Sequence, residues 1–212
     1  MVTRTRIKIC GLKTAAAVSV CKEAGADAVG FVFYAPSPRY VEPAHAQQLC
    51  QALGPWQTPV ALFVNPAPEQ VHAVLACMPN ALLQFHGDES PRFCASFARP
   101  YLKAIRMQAG TDLHEQARQY ASAQGLLVDS WSEAYGGSGQ AFDWLLLPKP
   151  GSLPLALILS GGLHPENLQE AISNCQPYGV DVSSGVESSK GVKCETKIRA
   201  FCRAVQQADA AL

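Results

Sequence analysis

The chain predicts an α/β protein, a single (β/α)8 barrel over residues 1–212. Three observations carry this. Short apolar runs alternate with helical patterns about eight times at roughly 26 residues each, the spacing of a lean (β/α)8 barrel. The first strand ends in Cys10-Gly11-Leu12-Lys13, without the Gly-rich phosphate turn that a doubly wound open sheet would carry there. The glycines come late, where strands seven and eight each run into a turn of small residues, Ser160-Gly161-Gly162-Leu163 and Ser183-Ser184-Gly185. Clustered backbone N–H groups and hydroxyls at such turns can hold a phosphate dianion, and in this barrel the loops after strands seven and eight are where phosphate sites recur.

Each element follows in order. Ile7–Cys10 reads as strand one, and Ala17, Val20, Cys21 and Ala24 form one helical face after it, stopped by Gly25. Ala28–Phe33 is strand two. Tyr34–Glu42 is a loop stiffened by Pro-Ser-Pro-Arg, and a weaker helix covers Ala44–Leu53. Val60–Val64 is strand three, with Asn65 and Pro66 expected to cap a helix whose face is Val71, Val74, Leu75 and Met78. Ala81–Phe85 is strand four, ending in His86-Gly87-Asp88-Glu89, with Pro91 early in the next helix. Tyr101–Ile105 is strand five, and Leu113, Ala117, Tyr120 and Ala121 mark the helix behind it. Leu126–Asp129 is strand six. Ser130–Ala141 breaks the pattern with Gly136-Gly137-Ser138-Gly139, and a loop of that length inside a compact domain usually serves function. Phe142–Leu147 reads as a short helix and Ala156–Leu159 as strand seven. Pro165 is expected to begin a helix with Leu168, Ala171, Ile172 and Cys175 inward. Val180–Val182 is strand eight, and Ile198, Phe201, Cys202 and Val205 face inward on the last helix. Trp56 fits core or surface equally well.

Composition narrows the function classes. Hydrophobic content of 48% fits a globular chain, and equal counts of 17 basic and 17 acidic residues give no net field. Nucleic acid and anionic membrane surfaces are therefore not expected as main partners. Met1–Cys10 has no apolar h-region, so a signal peptide is not expected there, and no apolar run is long enough to span a bilayer. The eight cysteines include no C-x-x-C pair, so they are expected to be free, in a reducing, cytoplasmic compartment.

In such a barrel the site lies at the C-terminal ends of the strands. The polar or reactive residues there are Cys10, Arg39, His86, Arg106, Asp129, Gly161, Gly162, Asp181, Ser183 and Ser184. Strand alternation puts Cys10 and Lys8 on the inner face, Lys8 one layer down. An ammonium beneath a thiol favours the thiolate, so Cys10 reads as a base tuned by Lys8, the alternative being one more small core residue. Asp129 begins the Gly-rich loop, where desolvation can make it an acid, or where it can simply cap the next segment. Arg39 on its stiff loop suits a carboxylate, or is a solvated arginine. His86 can contact a ligand or organise its turn. It lacks a second His or Cys at ligand spacing, so no metal is expected. Asp181 can bond a substrate hydroxyl, and Arg106 can equally belong to a structural ion pair.

Taken together, these segments resemble a known family. Lys8-Ile9-Cys10-Gly11-Leu12, Gly30-Phe31-Val32-Phe33, Ser37-Pro38-Arg39-Tyr40-Val41, Leu83-Gln84-Phe85-His86-Gly87-Asp88-Glu89, Gly136-Gly137-Ser138-Gly139, Ser160-Gly161-Gly162-Leu163 and Gly179-Val180-Asp181-Val182-Ser183-Ser184-Gly185-Val186-Glu187 stand in the order of the phosphoribosylanthranilate isomerases of tryptophan biosynthesis. The resemblance covers Lys8 to Phe201, with small departures at Phe85, Ser138 and Cys194. It implies an Amadori rearrangement without cofactor, Cys10 as general base, Asp129 as general acid and Arg39 on the anthranilate carboxylate. His86 and Asp181 would complete the substrate site, with Gly161, Gly162, Ser183 and Ser184 on the phosphate. The expected partner is a small phosphosugar, and the chain a monomer or homodimer. Two rivals stand beside this: a noncatalytic phosphosugar-binding barrel, and another phosphosugar enzyme on the same scaffold, such as a metal-dependent epimerase.

Overall fold

The computed structural model describes residues 4–130 and 142–212. Eight parallel strands close into a barrel in sequence order. They are β1 (Arg6–Cys10), β2 (Ala28–Val32), β3 (Thr58–Phe63), β4 (Leu82–Phe85), β5 (Tyr101–Met107), β6 (Gly125–Ser130), β7 (Ala156–Leu159) and β8 (Gly179–Val182). β1 pairs with both β2 and β8, and that closing register sets Lys8 opposite Ala28 on one side and Asp181 on the other. The expected strands are all present.

Around the barrel run α1 (Ala15–Glu23), α2 (Pro43–Cys50), α3 (Pro68–Cys77), α4 (Pro91–Ala95), α5 (Leu113–Gln119), α6 (Leu168–Cys175) and α7 (Glu195–Ala210). Local chemistry sets their starts. Thr14, Ser90 and Asp112 each accept a backbone N–H of the first turn of α1, α4 and α5. The expected faces of α6 and α7 are buried throughout. Elsewhere the faces are narrower: Leu75 is half-buried and Ala121 exposed. Among the described residues, the segment between β6 and β7 holds one 3-10 turn, Trp144–Leu146, capped by Asp143. The glycines of the 136–139 run lie outside the described residues.

The strands bury two faces. Outward residues such as Ile7, Ile9, Val29, Phe31, Phe63 and Phe85 join the helices in one large core. Phe85 is its aromatic centre, with ring centroids 5.8 to 6.1 Å from Phe63, Phe93, Phe97 and Tyr101. Inward residues form two smaller clusters. Leu102, Ala104, Leu127 and Ile158 fill the bottom of the barrel, and Cys10, Val32, Leu62 and Val64 sit nearer the top. The polar side chains of the site stand on this upper layer. Trp56 is on the surface, 93% exposed.

Two expected helix starts fall elsewhere. Asn65 does not cap α3, which begins at Pro68 after Ala67. It takes a left-handed conformation (φ 46°), donates its backbone N–H to Glu89 (2.8 Å) and accepts the Asp88 N–H on its side chain (2.7 Å). It therefore ties the β3 turn to the β4 turn. Likewise α6 begins at Leu168, not Pro165, because Asn167 turns back and donates to the Gly162 carbonyl (3.0 Å).

The turn after β4 is clamped from outside the barrel. Glu89, 6% exposed, accepts from Asn65, from the Gly87 N–H (3.0 Å) and from Lys103 (3.0 Å). Lys103, 2% exposed, also donates to the Gly87 carbonyl (2.6 Å) and lies 5.6 Å from the Tyr120 ring centroid. Removing one partner of such a pair leaves the other charge buried. Lys103→Met is expected to cost about 3–5 kcal/mol in urea unfolding, with Lys103→Met/Glu89→Gln less costly than the single variant. A single variant within about 0.5 kcal/mol of wild type, the range of ordinary surface changes, would show that the pair does not clamp this turn.

Candidate active site

A cavity of about 340 Å³ opens at the C-terminal ends of the strands. Cys10, Arg39, His86, Asp129, Gly161, Gly162, Asp181, Ser183 and Ser184 all line it. Arg106 does not; it pairs with Asp88 at the surface. Four groups of contacts build the walls.

The first joins β1 to β8. The Lys8 ammonium and the Asp181 carboxylate lie 2.9 Å apart, both almost wholly buried. Burial works to lower the Lys8 pKa, but Asp181 and Cys10 outweigh it and the value is raised, so Lys8 is charged. Above it stands Cys10, 4% exposed. Gly30 on β2 makes room for this thiol, since a Cβ there would lie 2.7 Å from Sγ. Lys8 pulls the Cys10 pKa down, in the direction its placement beneath the thiol predicts, but it does not act alone. Burial pushes the Cys10 thiol up, Lys8 pulls it down, Asp181 pushes it up again, and the net result is raised. Lys8 favours the thiolate, as its placement predicts, but much of its field is spent on Asp181. The helix-face cysteines Cys21, Cys175 and Cys202 are pushed by burial to about 12, 11 and 12, with Lys193 pulling weakly against this at Cys21.

The second group joins β4 to β6. His86 Nε2 lies 3.1 Å from Asp129 Oδ2, and Gln84 Nε2 lies 3.0 Å from His86 Nδ1. Asp129 Oδ1 accepts the Ser130 N–H at 2.8 Å. Asp129 is thus held by its neighbours on both oxygens, and it is 5% exposed. Sequence alternation puts Gln84 and His86 on one face, but nothing in it marks Gln84 as more than a filler.

The third forms the rim. Arg39 is buried, and its Nε and Nη2 form a two-pronged pair with Glu187 at 2.7 and 2.9 Å, leaving Nη1 outside the pair. The carboxylate on its fork is thus the chain's own. Glu187 opens β9 (Glu187–Ser189), which pairs with β10 (Val192–Lys193). Lys193 closes the cluster, 2.8 Å from Glu187 Oε1 and 2.8 Å from the Ser183 carbonyl. Burial works to raise the Glu187 pKa, but Arg39 and Lys193 overrule it and hold it at about 2. Burial lowers the Lys193 pKa against the pull of Glu187. Glu187 is the last residue of a motif singled out in the sequence, yet neither its role nor Lys193 was legible there, because Arg39 is 148 positions away.

The fourth is the pair of small-residue turns. Gly161 (φ 83°) and Gly162 (φ 65°) take conformations open to glycine, and a Cβ on Gly161 would lie 2.5 Å from the Ser130 nitrogen and 2.7 Å from Asp129 Oδ1. The turn after β7 therefore packs directly on the end of β6. The Ser183 hydroxyl donates to the Cys10 carbonyl (3.1 Å), bridging β8 to β1, so what this turn offers an anion is mainly backbone. Ser184–Val186 follows as one 3-10 turn. Among the described residues, no group of three or more His, Cys, Asp and Glu is arranged to hold a metal ion.

The chain matches the model of the N-(5'phosphoribosyl)anthranilate (PRA) isomerase family over residues 7–204. The chain belongs to this family. One relative, the N-(5'-phosphoribosyl)anthranilate isomerase of Methylibium petroleiphilum, is 54% identical over 98% of the chain and 96% of its own length. Among solved structures, the phosphoribosyl anthranilate isomerase of Thermotoga maritima is 38% identical with a TM-score of 0.87, covering 96% of this chain and 99% of its own. A phosphoribosyl anthranilate isomerase in complex with reduced 1-(o-carboxyphenylamino)-1-deoxyribulose 5-phosphate is 34% identical with a TM-score of 0.81, at the same coverage. Membership accounts for the order of the motifs from Lys8 to Phe201, and for the closed barrel on which they fall.

Two outcomes test this electrostatic reading. Lys8 opposes burial at Cys10, so Lys8→Met should move alkylation of Cys10 by iodoacetamide to higher pH; an unchanged pH profile would remove Lys8 from the balance. For Glu187 the folded pKa lies below the ordinary 4.5, so its stabilisation is complete above about 4.5 and drains as pH falls toward about 2. Wild-type stability in urea should therefore fall more steeply across that window than that of Glu187→Gln, and parallel curves would refute the assignment.

Proposed function

We propose that the chain is a phosphoribosylanthranilate isomerase, converting N-(5-phosphoribosyl)anthranilate to 1-(2-carboxyphenylamino)-1-deoxyribulose 5-phosphate in tryptophan biosynthesis. The observation that carries this is the gathering of Cys10, Asp129 and Arg39 around one cavity in a chain of the isomerase family. In this reading residues 1–212 form one barrel domain acting in the cytoplasm, where eight free cysteines are stable.

Asp129 is the proposed general acid. It gives its proton to the ring oxygen of the ribose as the bond from that oxygen to C1′ breaks. The anilino nitrogen lone pair moves in to form an iminium. Cys10 is the proposed general base and removes the proton from C2′, and that electron pair neutralises the iminium to give an enolamine. Loss of the C2′ hydroxyl proton and protonation at C1′ yield the ketone. The iminium acidifies C2′–H, so the base need not be strong once the sugar is fixed in place. Burial and Asp181 raise the Cys10 pKa, which makes the thiolate a stronger base, while Lys8 and Lys193 lower the cost of forming it.

The remaining roles divide by charge. The phosphate lies on Gly161, Gly162, Ser183 and Ser184. The anthranilate carboxylate meets Arg39, whose Nη1 lies outside the pair with Glu187. His86 holds Asp129, and Asp181 holds Lys8 beneath the base. The relative in complex with a reduced ribulose phosphate supports a phosphosugar of this kind.

The test is the decay of fluorescence of freshly generated phosphoribosylanthranilate. Wild type should consume it well above background, and Cys10→Ser and Asp129→Asn should each lose about 10²–10⁴-fold in kcat, the usual worth of a placed acid or base. A wild type without turnover that still binds phosphosugars would replace the isomerase by a binding barrel.

A further inference from the structure

Gln84 lies on β4 inside the barrel and is 0% exposed. Its register partners on the neighbouring strands are Leu62 and Leu102, so it sits in an apolar layer. Its amide nitrogen meets His86 Nδ1 at 3.0 Å, and its Oε1 has no hydrogen-bond partner among the described residues. An amide buried with its acceptor unsatisfied costs stability, and an apolar side chain of the same size would avoid that cost. Stability therefore does not account for a glutamine here. What the side chain does have is one directed contact.

We infer that Gln84 is a positioning residue for Asp129, acting through the tautomer of His86. The inference rests on the proposed isomerase reading for the role of Asp129. The amide N–H donates to Nδ1, so Nδ1 must be an acceptor and the single proton of the neutral ring sits on Nε2. That Nε2–H then donates to Asp129 Oδ2 at 3.1 Å, while Ser130 N–H holds Oδ1 at 2.8 Å. Both oxygens are located, and the carboxyl is fixed at the end of β6 against the Gly161 turn. Against an ionised Asp129 the other tautomer would set the Nε2 lone pair beside Oδ2, and against a protonated one it would take the acid's own proton into a hydrogen bond, so in either case the acid is no longer poised for the substrate. Gln84 touches neither the cavity nor Asp129, and its effect passes through one imidazole.

The proposal is tested by the tautomer and by turnover together. The chain has five histidines, so His86 can be assigned in ¹⁵N-resolved imidazole spectra by comparison with His86→Asn. Wild type should show His86 protonated at Nε2 alone. Gln84→Met, apolar and close in size, should show a mixture of tautomers and lose about ten-fold in kcat with KM within about two-fold, the pattern of a displaced acid. Gln84→Glu should draw the proton to Nδ1, because a carboxylate there accepts and cannot donate. An Nδ1–H tautomer in wild type overturns the proposal whether or not any variant folds. A Gln84→Met enzyme with a fixed Nε2–H tautomer overturns it even if kcat falls, since the loss would then be general packing. If wild type fails to turn over phosphoribosylanthranilate, yet its His86 is fixed and Gln84→Met frees it, the isomerase reading falls and the hydrogen-bond chain from Gln84 to Asp129 stands.

Discussion

The pairing of β1 with β8 is the contact on which the rest depends. It closes the sheet, and closure removes the last pair of free strand edges. The same register puts Lys8 against Asp181 inside the barrel, 173 residues apart in sequence. Two charges there are tolerated because each is the other's partner, and breaking one would strand the other. Cys10 stands above this pair and inherits its field. A shift of one residue in that register would turn Lys8 and Cys10 outward under the helices and put Ile7 and Ile9 into the barrel.

The cavity is shaped largely by groups that do not face it. Glu89 and Lys103 grip the turn after β4 from the helix side of the barrel. Glu187 and Lys193 draw the β9–β10 hairpin over Arg39, where Gly191 comes close to the Pro38 carbonyl. Asn167 holds the turn after β7 by the Gly162 carbonyl. Each clamp fixes a loop through directed hydrogen bonds, charge-assisted in the Glu89–Lys103 and Glu187–Lys193 cases and a neutral amide in the case of Asn167. The strand ends that carry Cys10 and Asp129 are thus met by loops held in fixed positions.

The fold was legible because its signals are local. The inward face of α6 (Leu168, Ala171, Ile172 and Cys175) needs only helical spacing to be recognised, and it is buried as that spacing predicts. The cavity lining was legible for the same reason: the ends of strands in such a barrel converge, so naming the strand ends names the residues around the mouth. Misreadings came where a residue of the right type for a local role serves a distant one. Asn65 has the chemistry of a cap but ties two turns together, and Pro165 has the look of a helix start but precedes a turn held by Asn167.

The sequence by itself determined the order of strands and helices, the inward placement of Lys8 and Cys10, and the late position of the glycine turns. These follow from periods of two and of about 3.6 residues and from the shapes open to glycine. Only the tertiary structure decided which charge meets which: Arg39 with Glu187, His86 with Asp129, Lys103 with Glu89. It also decided the sign of the shift at Cys10, where burial and Asp181 outweigh Lys8 and Lys193. The physical reason is that burial and Coulomb energies depend on distances in space, and barrel closure brings together groups that the chain keeps far apart.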